Sequence, residues 1–342
     1  MNRREVVKLV LDGQRPPYVP WHCGFTVEPR ARLAAHLGTE DLDAAIGNHF
    51  VKLGHSTGFV TPLGEDRFQD PFGVIWDRSI EKDIGNVANC VLPEPTLSGY
   101  EFPDPCDDLY FRDIPDKLAQ SGDCFRMYCI GFSLFERAWT LRGMENLMLD
   151  MIEYPDFVHQ LFDRICQYNL ERARQALTYD IDAIYYGDDW GQQRGLILGR
   201  RLWDDFLRPR VQRMYQLTRQ AGKYQVIHSC GDIAELIDDL IGLGVDCINP
   251  FQPEVLDVGN LIPKYRGRVA FHGGLSTQQT LPHGTADEVR QETRRLLELG
   301  RDGGYIFAPA HAVAADTPLE NMLAFLDEVQ NQRLIGRHHG PA

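Results

Sequence analysis

Short apolar segments alternate with longer amphipathic segments from residue 121 onward. The apolar segments are hydrophobic at successive positions, as strands buried on both faces of a parallel sheet are. The segments between them carry apolar residues at helical spacing. The pattern predicts strands at 17–22, 124–130, 183–186, 224–228, 246–249, 269–272 and 305–308. It predicts helices at 3–11, 201–221, 233–243, 257–265, 285–299 and 318–330, and two helices within 145–179 that separate near Pro155.

Strands that alternate with helices build parallel βαβ units, and a series of such units predicts an α/β fold. Seven strands can be placed, and we expect an eighth in the irregular stretch before residue 121. Eight units in a chain of 342 residues suit a closed (β/α)8 TIM barrel. An open doubly wound sheet is the alternative, but no G-x-G-x-x-G follows the first strand.

Residues 61–120 have a different character, being rich in Pro, Gly and Asp with only short apolar stretches. This composition predicts an irregular, partly β insertion that covers one face of the barrel. We expect a single barrel domain over residues 1–342, in which residues 335–342 form a polar tail.

The net charge of −14 comes without a basic stripe, which argues against nucleic acid and anionic membranes as partners. The N-terminal residues contain no apolar segment of the kind a secretory signal needs, and no apolar run could span a bilayer. The eight cysteines are scattered, which is typical of reduced thiols. We therefore expect a cytoplasmic protein.

Polar side chains follow six of the predicted strands, directly where each strand ends. The carboxyl ends of barrel strands converge on one mouth, so residues distant in sequence can share a site there. Loops are polar in any fold, but this repetition favours a site over that explanation. The strand-end residues are His22 and Cys23, Asp188 to Trp190, His228 to Asp232, Asn249 to Gln252, Gly273 and Gly274, and Pro309 to His311.

His228 and Cys230 are the sharpest pair among these residues. In extended backbone, positions i and i+2 point the same way, so an imidazole and a thiol can face one point. Both are zinc ligands, but a catalytic zinc needs three protein ligands and an open position. His311 is the best third ligand, with His22, Cys23 and His272 in reserve. The alternative is a buried histidine and cysteine satisfied by their neighbours.

Asp188 and Asp189 form an acidic pair that is the candidate catalytic acid, base or ligand. A helix N-cap with a solvent-facing neighbour is the alternative. Glu136 could support the catalytic residues from beside them or form a plain salt bridge. Trp190 could line a pocket or pack in the core. The candidate substrate-binding residues are His22, Cys23, Glu136, Trp190, Gln193, Gln252 and His272.

Four ordered stretches resemble the uroporphyrinogen decarboxylase (URO-D) superfamily. The resemblance covers residues 120–330 well, and it implies a (β/α)8 barrel. The superfamily contains cofactor-free porphyrinogen decarboxylases and cobalamin-linked methyltransferases that use zinc to activate a thiol. The stretches are GDDWG at 187–191, HSCGD at 228–232, FHGGLSTQ at 271–278, and APAH at 308–311 followed by DTPLEN at 316–321.

Two differences from the superfamily's motifs indicate whether this chain is more similar to the decarboxylases or to the methyltransferases. The decarboxylases that this chain resembles carry Arg-Gln-Ala-Gly-Arg-Tyr after the first strand, whereas this chain has WHCGF at 21–25. A near match, RQAGKY at 219–224, lies at a predicted helix end and is taken as coincidence. The methyltransferases carry His-x-Cys, matched by His228 and Cys230, and a later Cys, for which His311 stands in.

The resemblance therefore implies a zinc-dependent methyltransferase that activates a thiol or a methoxylated substrate. No D-x-H-x-x-G corrinoid signature is present, so cobalamin would sit on a separate partner protein. The expected partners are a small-molecule substrate, this corrinoid protein and a second copy of the chain in a homodimer. A metal-free decarboxylase and a non-catalytic binding protein are the alternatives.

Overall fold

The computed structural model describes residues 1–54, 61–80 and 82–335 of the chain. Within these ranges the strands are β1 Phe50–Leu53, β2 Thr61–Gly64, β3 Arg67–Gln69, β4 Ile75–Asp77, β5 Asn86–Val87, β6 Phe125–Ile130, β7 Ala183–Gly187, β8 Gly191–Gln192, β9 Gly195–Leu196, β10 Tyr224–His228, β11 Cys247–Phe251, β12 Ala270–Leu275 and β13 Tyr305–Pro309. The α-helices are α1 Arg3–Leu11, α2 Val27–Leu37, α3 Leu42–Ile46, α4 Ile114–Gln120, α5 Phe135–Arg142, α6 Met144–Glu153, α7 Pro155–Ala176, α8 Gly199–Leu202, α9 Arg208–Gln220, α10 Ile237–Leu243, α11 Val258–Tyr265, α12 Thr280–His283, α13 Ala286–Gly300 and α14 Leu319–Ile335.

The protein has an α/β fold with a seven-stranded sheet in the order β1-β6-β7-β10-β11-β12-β13. Strands β6, β7 and β10 pair in parallel, and so do β11, β12 and β13. Helices follow most of these strands, so the predicted βαβ pattern is confirmed at the level of the α/β class.

The chain divides into two compact units. The first comprises Met1–Val51, Asp123–Phe125 and the chain from Asp246 onward. Its core contains the stacked rings of Phe251 and Phe271, whose centres are 4.3 Å apart. Helix α13 packs its buried stripe here and begins with a capping box between Thr285 and Glu288, as the sequence predicts.

The second unit comprises Lys52–Gly122 and Arg126–Val245. Helices α5, α7 and α9 bury their apolar faces in it, and the break at Pro155 lies where it is predicted. Residues 61–120 contain a four-stranded antiparallel sheet, β2-β3-β4-β5, which confirms a partly β insertion. Asp70, at the start of this region, forms a buried ion pair with Arg137 of α5 at 2.6 Å.

Several predicted elements were wrong in extent or absent. Residues 17–22 contain only an isolated bridge from Trp21 to Phe307. The additional strand, β1, lies before the 61–120 region, and its apolar pattern is interrupted by Lys52. Helix α2 was not predicted, because Pro29 and Leu33 are its only buried positions and give no apolar stripe.

Among the described residues, no helix combines the length and the hydropathy that crossing a bilayer requires. Of the predicted polar tail, residues 336–342 lie outside the described part of the chain.

Candidate metal centre

His228 and Cys230 stand at the carboxyl end of β10, where the strand gives way to a loop. His228 is the last residue of the strand. Its Nε2 lies 3.5 Å from the Cys230 Sγ, so the two side chains do face one point, as their i, i+2 spacing predicts. Both side chains are partly buried.

Two glycines allow a second loop to cross directly over Cys230. The Gly191 N–H donates to the Cys230 carbonyl at 3.1 Å, and the Asp232 N–H donates to the Gln192 carbonyl at 2.8 Å. Gly231 has φ +82°, and a Cβ built on it would lie 2.2 Å from the Gly191 carbonyl carbon. A side chain at either glycine would separate the loops, so the position of Cys230 depends on both.

Asp189, which follows strand β7, holds the loop that carries Cys230 in place. Its Oδ1 accepts the Cys230 N–H at 2.8 Å and lies 3.6 Å from the His228 Nε2. Burial raises the pKa of the Cys230 thiol, and the charges of Asp189 and Glu136 raise it further. The thiol is therefore held in its neutral form unless a cation compensates these charges.

Asp188 has a different environment from its neighbour, because it is buried against the first turn of α5. Its carboxylate accepts the backbone N–H groups of Leu134, Phe135 and Glu136, and the indole Nε1–H of Trp190 at 2.6 Å. Burial raises the pKa of Asp188 to about 6, against the opposing effect of these hydrogen bonds. The geometry gives Asp188 a positioning role, since its carboxylate holds the first turn of α5 and the Trp190 indole in place.

We expect Asp188→Asn to lower the unfolding free energy by about 2 kcal/mol. Each carboxylate oxygen of Asp188 accepts two N–H groups, and the amide NH2 that replaces one oxygen in asparagine can accept neither. The matched control is Asp257→Asn, which alters the exposed N-cap of α11, where asparagine caps equally well. Urea unfolding of both variants measures the difference. Equal, small effects would show that the bonds to Asp188 contribute little.

Three further candidate site residues, Glu136, Trp190 and Gln193, lie in the second unit. Glu136 is in the first turn of α5, and burial, followed by the charges of Asp189 and Asp188, raises its pKa well above the ordinary value. Trp190 is buried, donates its backbone N–H to the Ser229 hydroxyl at 2.9 Å and packs on Trp203, so it stabilises the loop. Gln193 is exposed in the turn between β8 and β9.

The remaining substrate-binding candidates lie in the first unit. His22 stacks on Phe50 with ring centres 5.1 Å apart, and the His22 and His272 rings are 6.2 Å apart. Cys23 is buried, which raises the pKa of its thiol, and its N–H donates to the Asn48 Oδ1 at 2.8 Å. Gln252 is partly buried just beyond β11.

Among the described residues, one group of three side chains has metal-ligand atoms clustered closely enough for a shared ion. It consists of His228, Cys230 and His311, whose ligand atoms all lie within 4.8 Å of one another. Two imidazoles and one thiol form a donor set that suits zinc.

Three further residues were not identified from the sequence: Tyr185 and Lys52, which lie within strands, and Glu254, which follows one. Tyr185 of β7 has its ring centre 6.0 Å from that of His228, and Lys52 of β1 lies beside Tyr185. Glu254 follows β11 and accepts a hydrogen bond from Ser276, while its other oxygen, Oε2, is buried without a partner among the described residues. Glu254 lies two residues beyond Gln252, so a wider search for polar residues after each strand would have found it. Tyr185 and Lys52 lie inside strands, where such a search does not look.

Comparison with known proteins identifies similar chains. A family model described as Uroporphyrinogen decarboxylase (URO-D) matches residues 132–332. A uroporphyrinogen decarboxylase from Anaeromyxobacter dehalogenans (strain 2CP-C) is 26% identical over 192 residues, which are 55% of this chain and 52% of that protein. A uroporphyrinogen decarboxylase from Thermosynechococcus vestitus is 23% identical over 238 residues, 65% of each protein. The matches thus span about half to two thirds of these relatives.

One solved structure is similar over almost the whole chain. A methyltransferase from Methanosarcina mazei aligns with a TM-score of 0.74 and 18% sequence identity, covering 97% of this chain and 99% of that one. At this identity the likeness establishes the fold.

Proposed function

Because the chain belongs to the uroporphyrinogen decarboxylase family, we propose that it is a zinc-dependent methyltransferase of that family. The observation that carries the proposal is the clustering of His228, Cys230 and His311. A porphyrinogen decarboxylase that works without a metal has no need for such a donor set.

The separation of the His228 and Cys230 ligand atoms fits a shared zinc ion. Zinc bonds to nitrogen at about 2.0 Å and to sulfur at about 2.3 Å, so two ligands at a tetrahedral angle stand about 3.5 Å apart. The separation of the His228 Nε2 and the Cys230 Sγ is 3.5 Å. The ligand set proposed is His228, Cys230 and His311, which leaves a fourth position for substrate.

When bound there, zinc would act as a Lewis acid that lowers the pKa of a substrate thiol or polarises a substrate oxygen. We propose that Asp189, which accepts the Cys230 N–H, takes the substrate proton. Asp188 holds the first turn of α5 in place and so orients Glu136 at the edge of the same site. His22, Cys23, Trp190, Gln193, Gln252 and His272 remain predictions as substrate contacts.

The reaction proposed is transfer of a methyl group between the substrate and a separate corrinoid protein. In the thiol direction, a proton leaves sulfur, a sulfur–carbon bond forms, and the cobalt–carbon bond breaks with its electron pair staying on cobalt. In the reverse direction, the oxygen–carbon bond of a methoxylated substrate would break, its methyl group would form a cobalt–carbon bond with the reduced Co(I) corrinoid of the partner, and the substrate oxygen would take a proton. The corrinoid partner and the homodimer stay predictions.

We also propose that the barrel is closed, with residues 20–22, which contain only an isolated bridge, taking the eighth position in the sheet. The His22 N–H donates to the Phe307 carbonyl at 3.1 Å, and the Phe307 N–H donates to the Pro20 carbonyl at 2.8 Å. On the other side, the His49 N–H donates to the Trp21 carbonyl at 3.0 Å. These bonds link β13 to the residue preceding β1, which is the closure that a barrel requires.

A decarboxylase is the second candidate, favoured by the names of the similar proteins. Such an enzyme would need cationic side chains for substrate carboxylates after the first strand. Residues 21–25 read WHCGF, without an arginine, which argues against a porphyrinogen as substrate.

Elemental analysis and a transfer assay distinguish the two candidates. We expect protein purified without chelator to contain about one zinc per chain, and to transfer methyl groups from free methylcobalamin to small thiols. Chelator-treated protein should lose this activity and regain it with added zinc. Turnover of uroporphyrinogen III by the metal-free protein would reject the proposal in favour of the decarboxylase.

A further inference from the structure

Lys52 is an unusual residue for the strand that carries it. It lies in β1 between the partly buried Val51 and the buried Leu53. Because side chains alternate along a strand, Lys52 points to the same side as Phe50, whose ring packs against the rings of His22 and His272. Lys52 therefore extends from the same side of the strand as Phe50, and its side chain is exposed.

The Lys52 ammonium approaches an aromatic ring of the candidate site. Its Nζ lies 5.8 Å from the centre of the Tyr185 ring, within the range of a cation–π contact. The Tyr185 ring centre is in turn 6.0 Å from that of His228. Lys52, Tyr185 and His228 thus form a continuous row that ends at the proposed metal ligand.

No carboxylate pairs with Lys52 among the described residues, although the chain has 49 acidic residues against 35 lysines and arginines. The acidic groups of the site stand elsewhere: the Asp189 carboxylate lies 3.6 Å from the His228 Nε2. On the Lys52 side, burial raises the pKa of the Cys129 thiol to about 11, and the Lys52 charge opposes that shift. The row therefore has a positive end at Lys52 and a negative end near Asp189.

We propose that Lys52 and Tyr185 form an anion subsite, which binds a carboxylate of the substrate while the reacting thiol or methoxy group lies beside His228 and Cys230. A solvated ammonium on the site side of a strand, without an acidic partner, is free to pair with a ligand anion. The Tyr185 ring offers a flat surface for the substrate's carbon skeleton. This inference rests on the proposed function for the reacting group and adds the chemical class of the substrate.

Two pairs of probes of similar shape test the subsite by isothermal titration calorimetry. The first pair is 3-methoxybenzoate and the neutral 3-methoxybenzyl alcohol. The second is 3-mercaptopropionate and the neutral 3-mercaptopropanol. We expect each acid to bind wild-type protein about tenfold more tightly than its alcohol, and this preference to weaken with added salt.

Lys52→Met should abolish the preference for the acids, and Lys52→Arg should retain much of it. The matched control is Lys264→Met, which removes another lysine that contacts a tyrosine ring, 4.6 Å from Tyr265 on helix α11. It should leave the preference unchanged. Equal affinity of acid and alcohol in both pairs, survival of the preference in Lys52→Met, or failure of both acids to bind would each overturn the subsite.

Titrations on chelator-treated protein separate this inference from the proposed function. An acid preference that persists without metal and disappears in Lys52→Met supports the subsite, even if the protein proves to bind no zinc. Zinc binding with no acid preference would overturn the subsite alone.

Discussion

Replacing Cys230 with alanine is expected to weaken zinc binding by more than about 100-fold, because losing a ligand exceeds the cost of losing the group that orients one. The variant removes the only sulfur from the group formed with His228 and His311. Two imidazoles would remain, too few for a catalytic zinc site. Zinc content after dialysis, measured by elemental analysis, should fall from about one per chain to near zero, and methyl transfer should fall with it.

Cys166→Ala is the matched control for this prediction. Cys166 is buried and burial raises the pKa of its thiol to about 11, but it lies on α7, where its Sγ contacts the Arg210 carbonyl. It should keep full zinc content with a modest loss of stability. His311→Ala tests the third ligand in the same assay. Full zinc occupancy in Cys230→Ala would show that the metal, if any, is held elsewhere.

Gly231→Ala should have the second largest effect, because it combines an unfavourable backbone conformation with a collision. At φ +82° an alanine is strained by about 1–2 kcal/mol. The added Cβ would also lie 2.2 Å from the Gly191 carbonyl carbon, and neither backbone can move without breaking the bonds between the loops. We expect a total loss of about 4 kcal/mol or more in unfolding free energy, together with loss of zinc through displacement of Cys230.

Gly222→Ala isolates the collision from the backbone strain. Gly222 has φ +66°, and a Cβ there would meet nothing within 4 Å. This control should cost only the strain, about 1–2 kcal/mol, and should keep its zinc. If thermal and urea unfolding show equal losses for both variants, the approach of the two loops is not what holds Cys230 in position.

The amino-acid sequence by itself determined the α/β class and predicted which residues are proposed as metal ligands. Alternation of apolar and amphipathic segments requires only local rules, so β10 and the capping box of α13 were predicted within a residue or two. The facing of His228 and Cys230 also follows from local geometry, since positions i and i+2 of extended backbone share a side. Strand β1 escaped prediction because Lys52 interrupts its short apolar run.

Only the tertiary structure decided which of two adjacent aspartates faces the site. Asp188 and Asp189 are equivalent in sequence, yet one is buried under the first turn of α5 and the other contacts Cys230 and His228. The row from Lys52 through Tyr185 to His228 is likewise invisible in the sequence, because its members come from three separate strands. The physical reason is common to both: a side chain's neighbours across a sheet are set by strand order and register, which no local pattern of residues encodes.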